Sequence, residues 1–166
     1  MIEARPLPDD QATATASSAP GGTIDVPGDK SMSHRALILG ALADGTTRIS
    51  GLLEGQDVLD TASAVRAFGA TAERLGPGEW RVTGAPWRPP PAPVGWGNSG
   101  RSVRLLMGAA PGFDLEAVFT GDGSLTHRPM ERVMAPLCAM GARFEASQGG
   151  RVPVRLRGGK LGGNRF

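Results

Sequence analysis

The most constraining feature of the sequence is that one pattern of short helices, strands and glycines is used twice. The glycines of the first copy recur in the second at separations of 68, 70 and 72 residues: Gly40 with Gly108, Gly51 with Gly121, and Gly69 with Gly141. A period near 70 residues is longer than the roughly 20 to 50 residues of solenoid repeats. We therefore interpret the chain as an internal duplication of one unit.

Each unit is predicted to run helix, strand, helix, strand. Short apolar helices over residues 36–43 and 103–109 are followed by alternating strands over 47–50 and 115–120. The second helices carry apolar stripes at helical spacing, in the first unit Val58, Ala62 and Val65, and in the second Met130, Val133, Met134 and Leu137.

The ends of the second helices are marked by Gly69 and Gly141, which suit the left-handed residue that often closes a helix. Strands are then expected over residues 80–83 and 152–157. Helices laid on sheets in this order define an α/β fold, an α+β sandwich built from repeated units. The 25 glycines and 14 prolines exclude coiled coils and long helical bundles.

Composition shifts divide the chain. Residues 1–21 mix acids with Ala, Thr, Ser and Pro, and we expect a mobile amino-terminal tail. Residues 86–95 are proline-rich and predict an extended connection between a first unit, 22–85, and a second unit, 96–166.

The same composition bears on cellular location. The lone Cys138 cannot form an internal disulfide, and we expect it to pack beside the apolar stripe of its helix. This lone cysteine fits a reducing compartment, so we expect a cytoplasmic protein. No apolar run approaches the roughly 18 residues that span a bilayer, so we expect no membrane binding. Sparse aromatic residues and the lack of a dense basic run argue against nucleic-acid binding.

Three stretches combine glycines, capping residues and basic side chains: PGDKSMSHR at 27–35, GNSGRSVR at 97–104 and GDGSLTHRPMER at 121–132. The backbone N–H groups that begin a helix have no partner within it and carry partial positive charge, so they favour anions. Any one stretch could be a capped helix with a solvated arginine. Three of them in one small chain favour an anion-binding site.

These three stretches also carry a family resemblance. GTIDVPGDKSMSHRALILGALADGTTRISGLLEGQDV resembles the amino-terminal signature of 5-enolpyruvylshikimate-3-phosphate (EPSP) synthases. GNSGRSVRLLMGA resembles that family's GNSGTT-x-R-L-L-x-G loop, and GDGSLTHRPMERVMAPLCAMGA resembles its GDxSLxxRPMxxxxxPLxxMGA stretch. The resemblance implies two globular domains of three βαβαββ-type units each, of which about two units are present here.

The resemblance also implies an activity, which is enolpyruvyl transfer from phosphoenolpyruvate to the 5-hydroxyl of shikimate 3-phosphate, with release of phosphate, in the shikimate pathway of aromatic amino-acid biosynthesis. No cofactor is implied. In the family the acid, the base and further clamps come from a carboxy-terminal domain. We therefore expect this amino-terminal portion to lack turnover alone and to need that domain for a complete cleft.

The family's substrate-binding residues are carried over by motif, and no catalytic residue is identified in this segment. The resemblance assigns Lys30, Ser31 and Arg35 to shikimate 3-phosphate, with Lys30 also near phosphoenolpyruvate. It assigns Gly100 and Arg128 to phosphoenolpyruvate. Loop-shaping roles are implied for Asn98, Arg104 and Asp57.

Arg101 and Ser102 stand where the family usually has two small hydroxylic residues. A long cation beside the phosphoenolpyruvate loop leads us to expect that Arg101→Thr changes the affinity for phosphoenolpyruvate and for glyphosate more than that for shikimate 3-phosphate. His34 and His127 have no spacing typical of metal ligands, and no metal is expected.

Two alternatives remain open at this point. UDP-N-acetylglucosamine enolpyruvyl transferases share the implied fold, although they lack the KSxSHR pattern. A non-catalytic anion-binding fragment is the other alternative.

Overall fold

A computed structural model describes residues 26–95, 97 and 99–164; the tail expected over residues 1–21 lies outside the described residues. In chain order the elements are α1 (Lys30–Leu42), β1 (Thr46–Ile49), α2 (Gln56–Ala67), β2 (Thr71–Gly76), β3 (Glu79–Thr83), β4 (Val94–Gly95), α3 (Gly100–Ala109), β5 (Glu116–Thr120), α4 (Glu131–Ala139), β6 (Arg143–Ser147) and β7 (Arg151–Arg157).

The two sheets repeat one topology. The first has strand order β1-β3-β2, and the second has order β4-β5-β7-β6, in which β5-β7-β6 corresponds to the whole first sheet. Pairing is antiparallel within these triplets, whereas β4 runs parallel to β5. The second unit thus has the order βαβαββ, and the duplicated α/β fold predicted from the glycine spacing is confirmed.

The predicted strands agree with β1, β3, β5 and β7 to within one residue at each end. The second helices of both units do end at left-handed glycines, with φ of 112° at Gly69 and 109° at Gly141. The two first helices begin earlier than their apolar segments suggest, at Lys30 and Gly100, so that both include the basic motif residues.

The edge strands β2 and β6 were missed from sequence. Of the six residues in β2 only Ala72 is buried, and β6 has no fully buried residue. A strand that buries so few side chains shows no clear apolar alternation, which is the signal used to recognise strands.

The proline-rich connection is anchored in the core by Trp87, which is 5% exposed. Its indole stacks on Phe68 at the end of α2, with ring centroids 4.8 Å apart, and on Phe113 of the second unit at 5.4 Å. The indole Nε1 donates to the carbonyl of Ala41 at 3.1 Å. Because both units share one core, the starts of α1, α2 and α3 are held in a fixed relation.

The expected packing of Cys138 is wrong, because this side chain is exposed. Helix α4 covers little of the core, and Met134 is its one fully buried residue. The cysteine therefore lies on the open side of a helix whose apolar stripe is only partly covered.

Candidate anion-binding site

The first basic stretch forms the start of α1. Asp29 is its N-cap, and its carboxylate accepts a hydrogen bond from the amide of Met32 at 2.7 Å. The loop before the helix lies tightly against Gly51, since a Cβ on Gly28 would come within 2.0 Å of the Gly51 carbonyl oxygen. Glycine at position 28 thus fixes where α1 begins, with Lys30 as its first residue.

The second stretch forms the start of α3. Ser99 is the N-cap, and its hydroxyl accepts a long hydrogen bond, 3.4 Å, from the amide of Ser102. Gly100 and Arg101 are the first two residues of the helix. The prediction of capped helix starts is confirmed for both of these stretches.

The third stretch is different, because it opens with a 3-10 turn and its helix begins only near its end, at Glu131. Asp122 accepts from the amides of Ser124 at 2.9 Å and Leu125 at 3.0 Å, and so caps a single 3-10 turn, Leu125–His127. Arg128 follows in an extended conformation, before α4 begins at Glu131. Proline at 129 favours this extended backbone at the residue before it.

These elements enclose an open cavity of about 300 Å³, lined by Lys30, Asp57, Ser99, Gly100, Arg101 and Arg128. The lining contains three cationic side chains and one carboxylate. The starts of three helices, α1, α2 and α3, each contribute to it. Backbone donors and an excess of positive charge together suit a ligand that carries several negative charges.

Lys30 and Asp57 form an ion pair between α1 and α2. The side chain of Lys30 is 47% exposed and that of Asp57 is 18% exposed. Partial burial acts to raise the pKa of Asp57, but the hydrogen bond from Lys30, a backbone amide and the nearby positive charges outweigh it and hold that pKa below its ordinary value. Asp57 is therefore an ionised partner for Lys30.

Arg101 and Arg128 approach the start of α3 from two directions. The Nη1 of Arg101 donates to the hydroxyl of Ser31 on α1. Arg128 lies beside Gly100, where a Cβ would be 3.1 Å from its Nη1. Within residues 26–95 and 99–164, neither guanidinium is ion paired with a carboxylate.

Arg104 ties α3 to the segment that carries Arg128. Its Nη1 donates to the carbonyl of Gly100 at 3.1 Å, and its Nη2 donates to that of Pro129 at 3.3 Å. Burial lowers the pKa of Arg104, as do the neighbouring charges of Arg128 and Arg132. These contacts fit the loop-shaping part expected of it.

The remaining predicted residues are placed less centrally. Ser31 and Arg35 are four residues apart and so share one face of α1, and Arg35 is exposed outside the cavity lining. Asn98 lies outside the described residues.

A buried polar cluster that was not predicted from the sequence lies directly behind the cavity. His34, Thr61 and Ser102 are fully buried and come from α1, α2 and α3. The His34 Nδ1 lies 2.9 Å from the Thr61 hydroxyl and 3.2 Å from that of Ser102, and the two hydroxyls are 2.9 Å apart. A hydroxyl inside the apolar stripe of α2, three residues after Val58, is the sequence signal for this cluster.

Burial lowers the pKa of His34, and the charges of Lys30, Arg101 and Arg35 lower it further, while Asp57 acts in the opposite direction. Its Nε2 has no hydrogen-bond partner among the described residues. A neutral imidazole is the form that this environment favours.

The part of the chain that the structure describes contains neither a metal-binding cluster nor a membrane-spanning helix. No three His, Cys, Asp or Glu side chains in it come together in a way that could hold a metal ion. No helix in it combines the length and apolar character needed to cross a membrane.

The sequence and the fold of this chain both match known proteins. The family model for EPSP synthase (3-phosphoshikimate 1-carboxyvinyltransferase) matches residues 15–166. The chain therefore belongs to the EPSP synthase family, as its motifs predicted.

Curated relatives and a solved structure agree with this assignment. The 3-phosphoshikimate 1-carboxyvinyltransferase of Phenylobacterium zucineum is 55% identical over 90% of the chain and 33% of its own length. That of Maricaulis maris is 51% identical over 98% of the chain and 34% of its own length. EPSP synthase from Acinetobacter baumannii matches the fold with a TM-score of 0.80, at 42% identity, over 87% of this chain and 34% of that one. The chain thus spans about a third of the length of these relatives.

Proposed function

We propose that this chain supplies the substrate-binding wall of an enzyme that transfers the enolpyruvyl group of phosphoenolpyruvate to the 5-hydroxyl of shikimate 3-phosphate. Phosphate is the second product, and the reaction belongs to the shikimate pathway. The observation that carries this proposal is the cavity at the starts of α1, α2 and α3, which is lined by four of the residues that the family resemblance assigned, Lys30, Asp57, Gly100 and Arg128. Both substrates are phosphorylated carboxylates, which matches its charge.

The α1 side of the cavity is proposed to hold shikimate 3-phosphate. Ser31 and Arg35 share a face of this helix, and Lys30 begins it. A guanidinium binds a carboxylate or phosphate through two parallel hydrogen bonds, and an ammonium binds it as a compact charge. Lys30 also lines the cavity beside Gly100, so the same ammonium can contact both substrates.

The α3 side is proposed to hold phosphoenolpyruvate. Gly100 has no side chain to cover the amides at the start of the helix, and the guanidinium of Arg128 lies next to it. Arg104, Asp57 and Asn98 are proposed to shape this neighbourhood. The proposed domain division follows the same scheme, with the shikimate 3-phosphate residues in the unit 22–85 and the phosphoenolpyruvate residues in 96–166. Residues 86–95 connect them, and the end of this connection forms β4, which joins the second sheet.

The reaction requires an acid that protonates the methylene carbon of phosphoenolpyruvate and a base that accepts the proton of the 5-hydroxyl. Among the side chains that line the cavity, Asp57 is the one carboxylate, and its ion pair with Lys30 favours the charged form. A carboxylate held in this state is a poor acid. We therefore propose that the chain binds and orients substrates, while a further domain supplies the acid and base and closes the cleft.

Calorimetry tests the binding proposal. Shikimate 3-phosphate is titrated into the unaltered chain and into a Lys30→Ala/Arg35→Ala double variant, with Arg143→Ala, on β6 and outside the cavity, as the charge control. We expect binding to fall at least tenfold in the double variant and to be unchanged in the control. Equal affinities for all three proteins would overturn the residue assignment. Phosphate bound as well as shikimate 3-phosphate would favour a non-catalytic anion site.

Turnover is tested by phosphate release from both substrates. We expect no release by the chain alone and measurable release after addition of a separately expressed carboxy-terminal portion of a related enzyme. One wall of a cleft cannot supply the alignment and charge stabilisation on which such reactions depend, and their loss costs several orders of magnitude in rate. Turnover by the chain alone would overturn the assignment of the acid and base to another domain.

A further inference from the structure

Arg101 contacts a helix other than its own. It is the second residue of α3, yet its guanidinium donates to the hydroxyl of Ser31, which is the second residue of α1. The side chain therefore crosses from the phosphoenolpyruvate side of the proposed site to the shikimate 3-phosphate side. The expectation that Arg101 acts mainly on phosphoenolpyruvate does not account for this contact.

The hydrogen-bonding capacity of the two groups decides what the contact does. A guanidinium has donors only, whereas a hydroxyl has one donor and two acceptor lone pairs. Because the Ser31 oxygen accepts from Arg101, the Ser31 hydrogen must point elsewhere. The hydroxyl is left as a donor with its direction restricted, and the adjacent positive charge polarises it toward donation.

The charge of Arg101 is also available at this position. Lys30, the neighbour of Ser31, is ion paired with Asp57. Arg101 is not paired with any carboxylate in the part of the chain that the structure describes. An anion that accepts a hydrogen bond from Ser31 therefore lies near Lys30, whose charge is balanced by Asp57, and near Arg101, whose charge is not balanced by a carboxylate in the described residues.

We propose that Arg101 is a positioning residue for Ser31, whose hydroxyl it orients and polarises as a hydrogen-bond donor. The affinity for the ligand at the start of α1 then depends on Arg101 more than the affinity for the ligand at the start of α3 does. This inference rests on the proposed function, in which those ligands are shikimate 3-phosphate and phosphoenolpyruvate respectively. Arg101 is then one of the residues that determine which of the two substrates this chain binds more tightly on its own.

The test is a double-mutant cycle on ligand affinity. Arg101→Thr, Ser31→Ala and the double variant are each titrated with shikimate 3-phosphate and, separately, with phosphoenolpyruvate. We expect Arg101→Thr to weaken shikimate 3-phosphate about tenfold, as for loss of a hydrogen bond to a charged group, and phosphoenolpyruvate less than about threefold. When Ser31 is already alanine, Arg101→Thr should weaken shikimate 3-phosphate binding by less than about threefold, because the effects of two residues that act as a unit are not additive.

Two further variants separate positioning from general structure or charge. Arg101→Lys keeps a cationic donor and should restore part of the lost shikimate 3-phosphate affinity. Arg143→Thr makes the same exchange outside the cavity and should leave both affinities unchanged.

Each other outcome counts against the inference. Additive costs of Arg101→Thr and Ser31→Ala, or a larger loss for phosphoenolpyruvate than for shikimate 3-phosphate, would overturn it while leaving the proposed function standing. Failure of the unaltered chain to bind either substrate would overturn the proposed function and this inference together.

Discussion

The ammonium of Lys30, at the start of α1, is ion paired with the carboxylate of Asp57, in the first turn of α2. A carboxylate is favoured at the start of a helix, whereas a cation there is opposed by the helix dipole. Asp57 offsets that penalty for Lys30. The pair therefore keeps an ammonium in a position that only an anion, either Asp57 or a ligand, makes favourable.

Removing one member of this pair at a time should shift the pKa of the nearby His34 imidazole in opposite directions. Lys30 lowers the pKa of His34 and Asp57 raises it. Lys30→Met should therefore raise the pKa of His34, and Asp57→Asn should lower it. NMR titration of the His34 ring measures both shifts.

The chain's other lysine provides the control for this titration. Lys160→Met removes the same charge outside the cavity and should leave the His34 titration unchanged. Shifts of the same sign in Lys30→Met and Asp57→Asn would contradict the arrangement of charges described above.

The sequence predicted the fold well because its signals are local and repeated. Gly69 and Gly141 mark helix ends through their left-handed backbone, and the apolar stripes of α2 and α4 specify which faces turn inward. The edge strands β2 and β6 were not predicted, because almost none of their side chains is buried. Pattern recognition depends on burial, so it fails where the chain is nearly all exposed.

The candidate site was predictable in its members but not in its connections. The motifs predicted Lys30, Gly100 and Arg128 as neighbours, and the structure brings them to one cavity. The bond from Arg101 to Ser31 spans two helices and 70 positions in the chain, and no local pattern encodes such a contact. Long-range polar contacts of this kind follow only from the packing of the helices.

Burial of His34 predicts a pH-dependent stability. Its pKa is lowered in the folded chain, so between that value and the usual value of about 6.5 the unfolded chain binds more protons than the folded one. The free energy of unfolding should therefore rise with pH through this window and fall as the pH drops below about 6.5. Asp57, Lys30, Arg101 and Arg35 are the charged groups that act on the ring.

Urea unfolding at pH 5.5 and 7.5 measures this effect. In His34→Gln, which cannot titrate, the difference between the two pH values should shrink. His127→Gln, which removes the other histidine, an exposed side chain at the end of a 3-10 turn, is the matched control and should keep the difference. An unchanged difference in His34→Gln would show that other groups cause it.

The contacts of Glu54 predict that the stability of the fold also depends on pH in the acid range. Its two oxygens accept from Arg74 Nε and Nη2, each at 2.8 Å, and one of them also accepts from Trp80 Nε1 at 2.9 Å. The bonds from Arg74 and then from Trp80 lower the pKa of Glu54 to about 2, despite an opposing effect of burial. The stabilisation should be complete above the ordinary pKa, near 4.3, and be lost as the pH falls toward 2.

Thermal unfolding between pH 2 and pH 7 tests the role of Glu54. Glu54→Gln should lower the melting temperature at pH 7 and have little effect near pH 2, so its acid profile should be flatter than that of the unaltered chain. The control is Glu73→Gln, which should change little at either pH, because the Glu73 side chain is 59% exposed and makes a single 3.5 Å contact with Arg81. Parallel profiles for Glu54→Gln and the unaltered chain would contradict this reading of the contacts.

Substitution of Gly100 by alanine should affect ligand binding without lowering the free energy of unfolding. A Cβ at this position would lie 3.1 Å from Arg104 Nη1 and 3.1 Å from Arg128 Nη1, which are the far ends of flexible side chains. Both can move by a few tenths of an ångström, and alanine favours helix over glycine by up to about 1 kcal/mol. Gly100→Ala should therefore leave the free energy of unfolding unchanged or slightly raised.

Binding should respond in the opposite way, because the added methyl displaces Arg128 from its place beside α3 and covers the approach to the first amides of that helix. We expect Gly100→Ala to weaken phosphoenolpyruvate binding to the chain by about tenfold, comparable to the loss of a charge-assisted hydrogen bond. Gly108→Ala is the matched control, since a Cβ there meets nothing within 4 Å on the same helix. Calorimetry with phosphoenolpyruvate, paired with urea unfolding, measures both quantities, and equal affinities for the two alanine variants would exclude a close approach of the ligand to Gly100.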